Sequence, residues 1–227
     1  MPDLKFNGTV LVAGATGRTG LWVVRRLLHY GIKTKTFSRS AAKLSEFKNL
    51  EVWLGKIQNS SAVTAAVQGC DAVISALGAT ELIGDASPAQ VDGDGVIRLV
   101  DAAADAGVKK FILISSIAVT KPFHPLNLFG GVLSQKLRAE NHIRKIFSEN
   151  GRTYTIIRPG GLKDGDPFKF KLQFDKGDKI TGLIDRSDVG EIAALSLWIP
   201  KATNQTFEVI RTVAEDQKTL EPYFNSL

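Results

Sequence analysis

The sequence holds a single cysteine, Cys70, among 227 residues, so no internal disulfide can form and a reducing compartment is expected. Long hydrophobic runs are also missing. The longest, Phe111 to Ile114 and Ile192 to Pro200, fall far short of the roughly 20 residues a membrane-crossing helix needs. No transmembrane segment is expected. The stretch Met1 to Val10 lacks a basic region followed by an apolar one, so no secretory signal is expected. The expected location is the cytoplasm, or an organelle stroma if a transit peptide has been removed. Three scattered histidines and one cysteine give no metal-ligand spacing, so no metal is expected. A Gly-x-Ser-x-Gly elbow, a phosphate loop ending in Gly-Lys-Ser/Thr, and zinc-finger or aromatic RNA-binding signatures are absent too.

What is present reads as an ordinary folded chain, 44% hydrophobic and 23% charged. Its 29 basic and 23 acidic residues leave a net charge of +6. Taken whole, that number invites a polyanionic partner. Along the chain it divides unevenly, with +7 in residues 1–70 and +5 in residues 136–186, while the remaining segments are acidic. The run Gly107-Val-Lys-Lys110 is too short to be a nucleic-acid patch, and no nucleic-acid partner is expected.

Strand and helix signals alternate from residue 9 to residue 158. Thr9–Ala13 is an apolar, β-branched run without polar alternation, as suits a strand buried on both faces. Arg18–Tyr30 has helical spacing, with Leu21, Val24, Leu27 and Leu28 on one side, and Gly31 closes it. Further strands are predicted at Lys33–Ser38, Glu51–Leu54, Asp71–Ala76, Lys110–Ser115, Thr153–Arg158 and Thr206–Ile210. Helices are predicted at Ala41–Phe47, Ser60–Val67, Pro88–Ala106, Leu133–Glu149 and Ser187–Trp198, with a short helix in the tail. Residues 77–87, 120–131 and 160–179 read as loops. The pattern predicts an α/β fold with a doubly wound parallel sheet. It forms a single domain over 1–227, with a small C-terminal lobe from about residue 160 on the substrate side.

The strongest motif is Gly14-Ala-Thr-Gly17-Arg-Thr-Gly20, set between the first strand and the first helix. Gly14 permits the tight turn, Gly17 lets the backbone approach a pyrophosphate, and Gly20 lets helix and strand pack closely. Thr16, Arg18 and Thr19 complete this candidate dinucleotide-binding turn. The second strand ends at Phe37-Ser38-Arg39-Ser40. No acidic residue follows there to bond a ribose 2′-hydroxyl; Arg39 and Lys43 stand instead, with Arg18 in the turn. Cations at this point suit a 2′-phosphate, so NADP(H) is the expected cofactor.

These residues resemble the atypical short-chain dehydrogenase/reductase superfamily, in its NmrA-like, Tic62-like NAD(P)-binding branch. Supporting pieces are the glycine turn, Gly69-Cys-Asp-Ala-Val-Ile-Ser75, Val91-Asp92, and Ala106-Gly-Val-Lys-Lys-Phe-Ile-Leu-Ile-Ser-Ser116. Tyr154-Thr-Ile-Ile-Arg-Pro-Gly-Gly161 and Ile184-Asp-Arg-Ser-Asp-Val189 complete the set, over about residues 8–210. The resemblance implies a Rossmann fold with the cofactor across the carboxyl ends of the strands. It implies that Ala76, Leu77 and Gly78 lie beside the adenosine, and that Ser115, Ser116, Pro159, Gly160 and Gly161 lie near the nicotinamide. Lys136 matches the lysine of the superfamily's Tyr-x-x-x-Lys signature, but the tyrosine position is Val132. Valine cannot relay a proton. Two smaller departures are Gly55-Lys56, where relatives carry Asp after the glycine, and Val96 in place of an Asn.

Two readings of function follow. The first is an NADP(H)-dependent oxidoreductase without the usual catalytic tyrosine, with Ser116, Lys136 and His124 as candidates at the reacting end. The second is a non-catalytic NADP(H)-binding redox sensor or scaffold. The loop with Phe123, Leu126, Leu128, Phe129, Val132 and Leu133 reads in three ways. It is a wall over an apolar or planar small-molecule substrate, a patch for a protein partner through residues 123–133, or ordinary packing. The basic stretch Lys163–Lys179 either holds an anionic substrate or is solvated surface.

Overall fold

The computed structural model describes residues 6–48, 50–215 and 219–227. Its core is an eight-stranded sheet in the order β3-β2-β1-β4-β5-β6-β10-β8. The strands are β1 (Thr9–Ala13), β2 (Lys33–Ser38), β3 (Glu51–Leu54), β4 (Ala72–Ser75), β5 (Lys110–Ile114), β6 (Thr153–Pro159), β8 (Phe170–Asp175) and β10 (Gln205–Glu215). All neighbours are parallel except β8, which runs antiparallel to β10. A second small sheet pairs β7 (Gly161–Lys163) with β9 (Leu183–Asp185). The expected doubly wound α/β architecture is the one observed.

The reason lies in the strand sequences. In β1, Val10 and Val12 point into one core cluster while Leu11 and Ala13 point into the other. In β5, Ile112 and Ile114 divide from Phe111 and Leu113 in the same way. A strand covered on both faces has no polar side to show. One face is covered by α1 (Arg18–His29) and α5 (Arg186–Leu195). The other is covered by α2 (Ser60–Val67), α3 (Asp94–Asp105) and α4 (Val132–Phe147). The chain reverses its winding direction between β1 and β4, which opens a crevice above their carboxyl ends.

Several sequence expectations are corrected. Ala41–Phe47 is a series of turns and not a helix. The Ser40 hydroxyl accepts the Ala42 amide, and such side-chain bonds compete with helix nucleation in so short a segment. The helix expected from Pro88 begins as a π turn, Ala89–Gly93, before α3. Residues 160–179 are not irregular throughout, because they contain β7 and β8. In β8, Leu172 and Phe174 are buried while Lys171 and Gln173 are exposed. Its partner β10 continues to Glu215, five residues past the predicted end. The tail does form the expected short helix, of 3-10 type, at Glu221–Ser226.

Candidate functional site

The crevice is one trough made of two joined cavities, of about 460 and 720 Å³. Gly17, Ala76, Leu77 and Gly78 line both and form the waist. The smaller cavity lies toward β2 and β3. The larger lies over the ends of β5 and β6.

The glycine turn forms the floor at the waist. Gly14 has φ +79°, and a Cβ there would sit 2.7 Å from the Ala76 carbonyl oxygen. A Cβ on Gly20 would sit 2.9 Å from the Gly14 carbonyl carbon, so only glycine lets α1 start this close to β1. No side chain caps the N-terminus of α1, and no acidic residue occupies its first turn. Its leading amides are therefore left for an outside acceptor, and the helix dipole favours an anion there. These features fit the pyrophosphate of a dinucleotide.

In the smaller cavity, Gly14, Thr16 and Gly17 meet Phe37, Ser38 and Arg39 from the end of β2. Among the described residues Arg39 forms no ion pair. Two carboxylates, Glu81 and Asp85, enter from the opposite loop, and Asp85 pairs with Lys56 at 3.2 Å. Lys43 is not brought here. It lines a separate depression with Leu21 and Arg25, because the turns after Ser40 carry it toward α1.

The larger cavity gathers Arg18, Thr19, Ser115, Ser116, His124, Lys136, Pro159, Gly160 and Gly161. Residues 115 to 161 come together here because β5 and β6 are adjacent parallel strands with both carboxyl ends at the trough. Lys136 Nζ lies 2.6 Å from Asp92 Oδ1, and Asp92 is almost fully buried. The other Asp92 oxygen accepts the Ala79 amide at 3.0 Å. Asp92 thus ties Lys136 to the wall of the waist. The π turn presents it, and π turns recur at functional sites.

Ser115 Oγ donates to Glu140 Oε1 (2.7 Å), which lies one helical turn after Lys136 and is completely buried. Glu140 also accepts Arg158 Nε (3.0 Å) and Nη2 (2.7 Å). Arg158 reaches Glu208 Oε1 at 3.3 Å, and the other Glu208 oxygen accepts the Asp178 amide at 2.8 Å. Asp178 in turn accepts the amides of Ala118 and Thr120. This chain pins the segment that leaves β5 toward His124. Burial alone would raise the Asp178 carboxyl, but its bonds from Thr120 and Ala118, with Arg158 nearby, hold it below the ordinary value.

His124 Nδ1 accepts the Leu126 amide at 3.3 Å, so a neutral ring carries its proton on Nε2. Ser116 is half-buried on the same wall. His142 lies elsewhere, 2.6 Å from Asp101. Val132 packs against the cluster of Ala118, Val119 and Leu133 and does not line the trough. Arg18 pairs with Asp164, whose other oxygen lies 3.0 Å from Arg186 Nη1.

Sequence reasoning missed Asp92, Glu140 and Arg186 as parts of this site. The first two had a signal: an acid amid apolar residues after Ser87, and an acid four residues after Lys136. Arg186 had none, since β9 brings it from far along the chain.

Comparison with known proteins gives concordant results. Residues 14–198 match a family model described as NAD(P)H-binding. A chloroplast protein of Arabidopsis thaliana is 34% identical over 96% of this chain and 82% of its own length. Sanguinarine reductase of Eschscholzia californica is 29% identical over 92% of this chain and 91% of its own. Protein TIC 62 of Pisum sativum is 29% identical over 97% of this chain, which spans only 45% of that protein. A solved structure from Bacillus halodurans superposes with a TM-score of 0.80 at 24% identity, over 97% of this chain and all of the other.

Proposed function

Because this chain belongs to the NAD(P)H-binding family of atypical, NmrA-like short-chain dehydrogenases/reductases, we propose that it is an NADP(H)-dependent oxidoreductase. The observation that carries this reading is the unbroken trough. At one end stands Arg39, at the waist the open amides of α1, and at the other end Ser116, Lys136 and His124. Gly14, Thr16, Gly17, Arg18, Thr19 and Gly20 hold the pyrophosphate side, and Arg39 takes the 2′-phosphate. Ala76, Leu77 and Gly78 border the adenosine half, and Ser115, Pro159, Gly160 and Gly161 border the nicotinamide half. Lys43 drops from this set by its position. Bound here, NADP(H) supplies or accepts a hydride at its nicotinamide end.

The chain's own residues manage position and protons. Asp92 fixes the Lys136 ammonium beside the reacting end. Ser116 is the hydroxyl within reach of a substrate oxygen, and His124 is an imidazole on the same wall that can donate a proton through Nε2. No tyrosine stands at 132, so the acid is His124 or water passed along Ser116. The substrate is a small apolar or planar molecule, to match a cavity walled by Ile114, Ile117, Leu126 and Leu162. Relatives named as chloroplast proteins favour an organelle stroma over the cytoplasm.

The test is NADPH oxidation against a panel of quinones, flavins and tetrapyrroles. NADPH is expected to bind tighter than NADH, and Arg39→Ala is expected to shrink that preference by about tenfold or more. An intrinsic preference for NADH would overturn the phosphate assignment. The valine at 132 specifically favours the non-catalytic reading, a redox-sensing scaffold. Inertness across the panel, with a protein partner captured only when nucleotide is present, would establish that reading instead.

A further inference from the structure

We propose that the outer rim of the trough is a binding site for the apolar arm of an elongated substrate, whose flat reacting head enters beside Ser116 and Lys136. The proposal rests on the oxidoreductase reading above and adds the shape and polarity of what is reduced. Ten large apolar side chains are exposed among the described residues. Six of them stand on two loops that meet at Gly130 and border the trough: Leu82, Ile83, Phe123, Leu126, Leu128 and Phe129. Phe123, Leu128 and Ile83 are 98, 87 and 82% exposed. Such a concentration marks a binding surface, whereas scattered exposed leucines would not.

The loops are built to hold these side chains outward. Asn127 Nδ2 donates to the Pro122 carbonyl at 2.9 Å. Its Oδ1 accepts the Leu133 and Ser134 amides, both at 3.1 Å, which fastens the loop to the start of α4. Gly130, at φ +61°, joins the two loops, since a Cβ there would lie 3.1 Å from the Pro88 ring and 3.2 Å from the Leu82 carbonyl. The backbone is therefore fixed, and Phe123, Leu128 and Ile83 stay largely exposed.

Continuity identifies the occupant. Leu126 belongs to this rim and to the cavity wall at once, and His124 stands beside it in the wall. Leu126 thus places apolar surface at the cavity wall and at the exposed rim together. Charge argues against a lipid bilayer. The loops 77–87 and 120–131 carry only Glu81, Asp85 and Lys121, not the cationic rim that an anionic membrane surface attracts. A quinone bearing an alkyl chain has the required form. Its reduction balances as one hydride from NADPH plus one proton, giving NADP and the quinol.

The test uses benzoquinones alike in the ring and differing in one alkyl substituent, from methyl to decyl. Binding to the NADP-saturated full chain is measured by equilibrium dialysis, which needs no turnover, and NADPH oxidation is followed in parallel. The decyl compound is expected to bind about tenfold or more tighter than the methyl one. The double variant Phe123→Ser, Leu128→Ser is expected to keep the methyl affinity and retain no more than about twofold of that gain. A flat series, or a gain that survives the double variant, overturns the proposal. So does a flat series combined with anionic-vesicle cosedimentation, or with a dimer, that the double variant abolishes. A chain-length gain in binding, with no NADPH oxidation by this series or by the quinone, flavin and tetrapyrrole panel, supports the arm site and defeats the oxidoreductase reading.

Discussion

Asp188 sits fully buried in the first turn of α5, and its two oxygens fare differently. Oδ1 accepts the Phe168 amide at 2.9 Å, while Oδ2 has no hydrogen-bond partner among the described residues. Burial pushes the carboxyl up to about 6, and the neighbouring Asp185 and Glu191 add to the rise. Its ordinary value is 3.8, so between these two pH values the folded chain holds a proton that the unfolded chain has released. Stability from this group is therefore present at the acid end of the window and lost as pH rises through about 6. Urea denaturation across this range is expected to show wild type losing up to about 3 kcal/mol relative to Asp188→Asn. Parallel curves for the two proteins would refute it. Nothing local in the sequence could reveal the burial of Asp188. That depends on the return of residues 164–168 over α5, where Ser187 Oγ holds the Gly165 carbonyl.

At the scale of elements, the contact between α1 and α5 rests on Gly190. A Cβ there would lie 2.7 Å from Trp22 Cβ and 2.8 Å from the Trp22 carbonyl carbon. Backbone cannot swing aside as a flexible side-chain tip can, so Gly190→Ala must push α1 off the sheet. Overpacking of about 1–3 kcal/mol outweighs the roughly 1 kcal/mol alanine gains as a helix former. Thermal unfolding is expected to move down by a few degrees, about 2–4 °C per kcal/mol for a chain of this size. A rise would show that the two helices adjust freely. Both helices were legible from apolar spacing, and so was the strand–turn–helix context of Gly14, Gly17 and Gly20. The segment after Ser40 was misread as helix because spacing alone cannot weigh a competing side-chain bond. The strand β8 was hidden because its alternating lysine and glutamine looked like a solvated loop.

For the whole molecule, the buried chain Ser115–Glu140–Arg158–Glu208–Asp178 joins α4, β6, β10 and the loops beside His124. Arg158 is the only cation touching both buried glutamates among the described residues. Burial works against its charge, but the Glu140 bonds and the acids around it keep it firmly ionised. Arg158→Met would strand the buried Glu208 carboxylate and leave Glu140 with Arg144 as its cation, at a cost of about 3–5 kcal/mol. Denaturation is expected to show a lower midpoint with an unchanged slope. A loss below about 1 kcal/mol would mean that water reaches the glutamates.

The local code determined much of this protein. Apolar runs without alternation dictated buried parallel strands, and three glycines at fixed spacing dictated a turn that opens toward phosphate. The missing acid after β2, with Arg39 in its place, supplied the argument for NADP(H). These are properties of short segments, set by sterics and by which faces can bear water. The tertiary structure alone decided what depends on distant partners: that Asp92 holds Lys136, that Glu140 lies beneath Ser115, and that Lys43 turns away from the trough. It also decided that the apolar loops 77–87 and 120–131 meet at one rim. Such pairings come from strand order and register, which join residues many positions apart, and no local period records them.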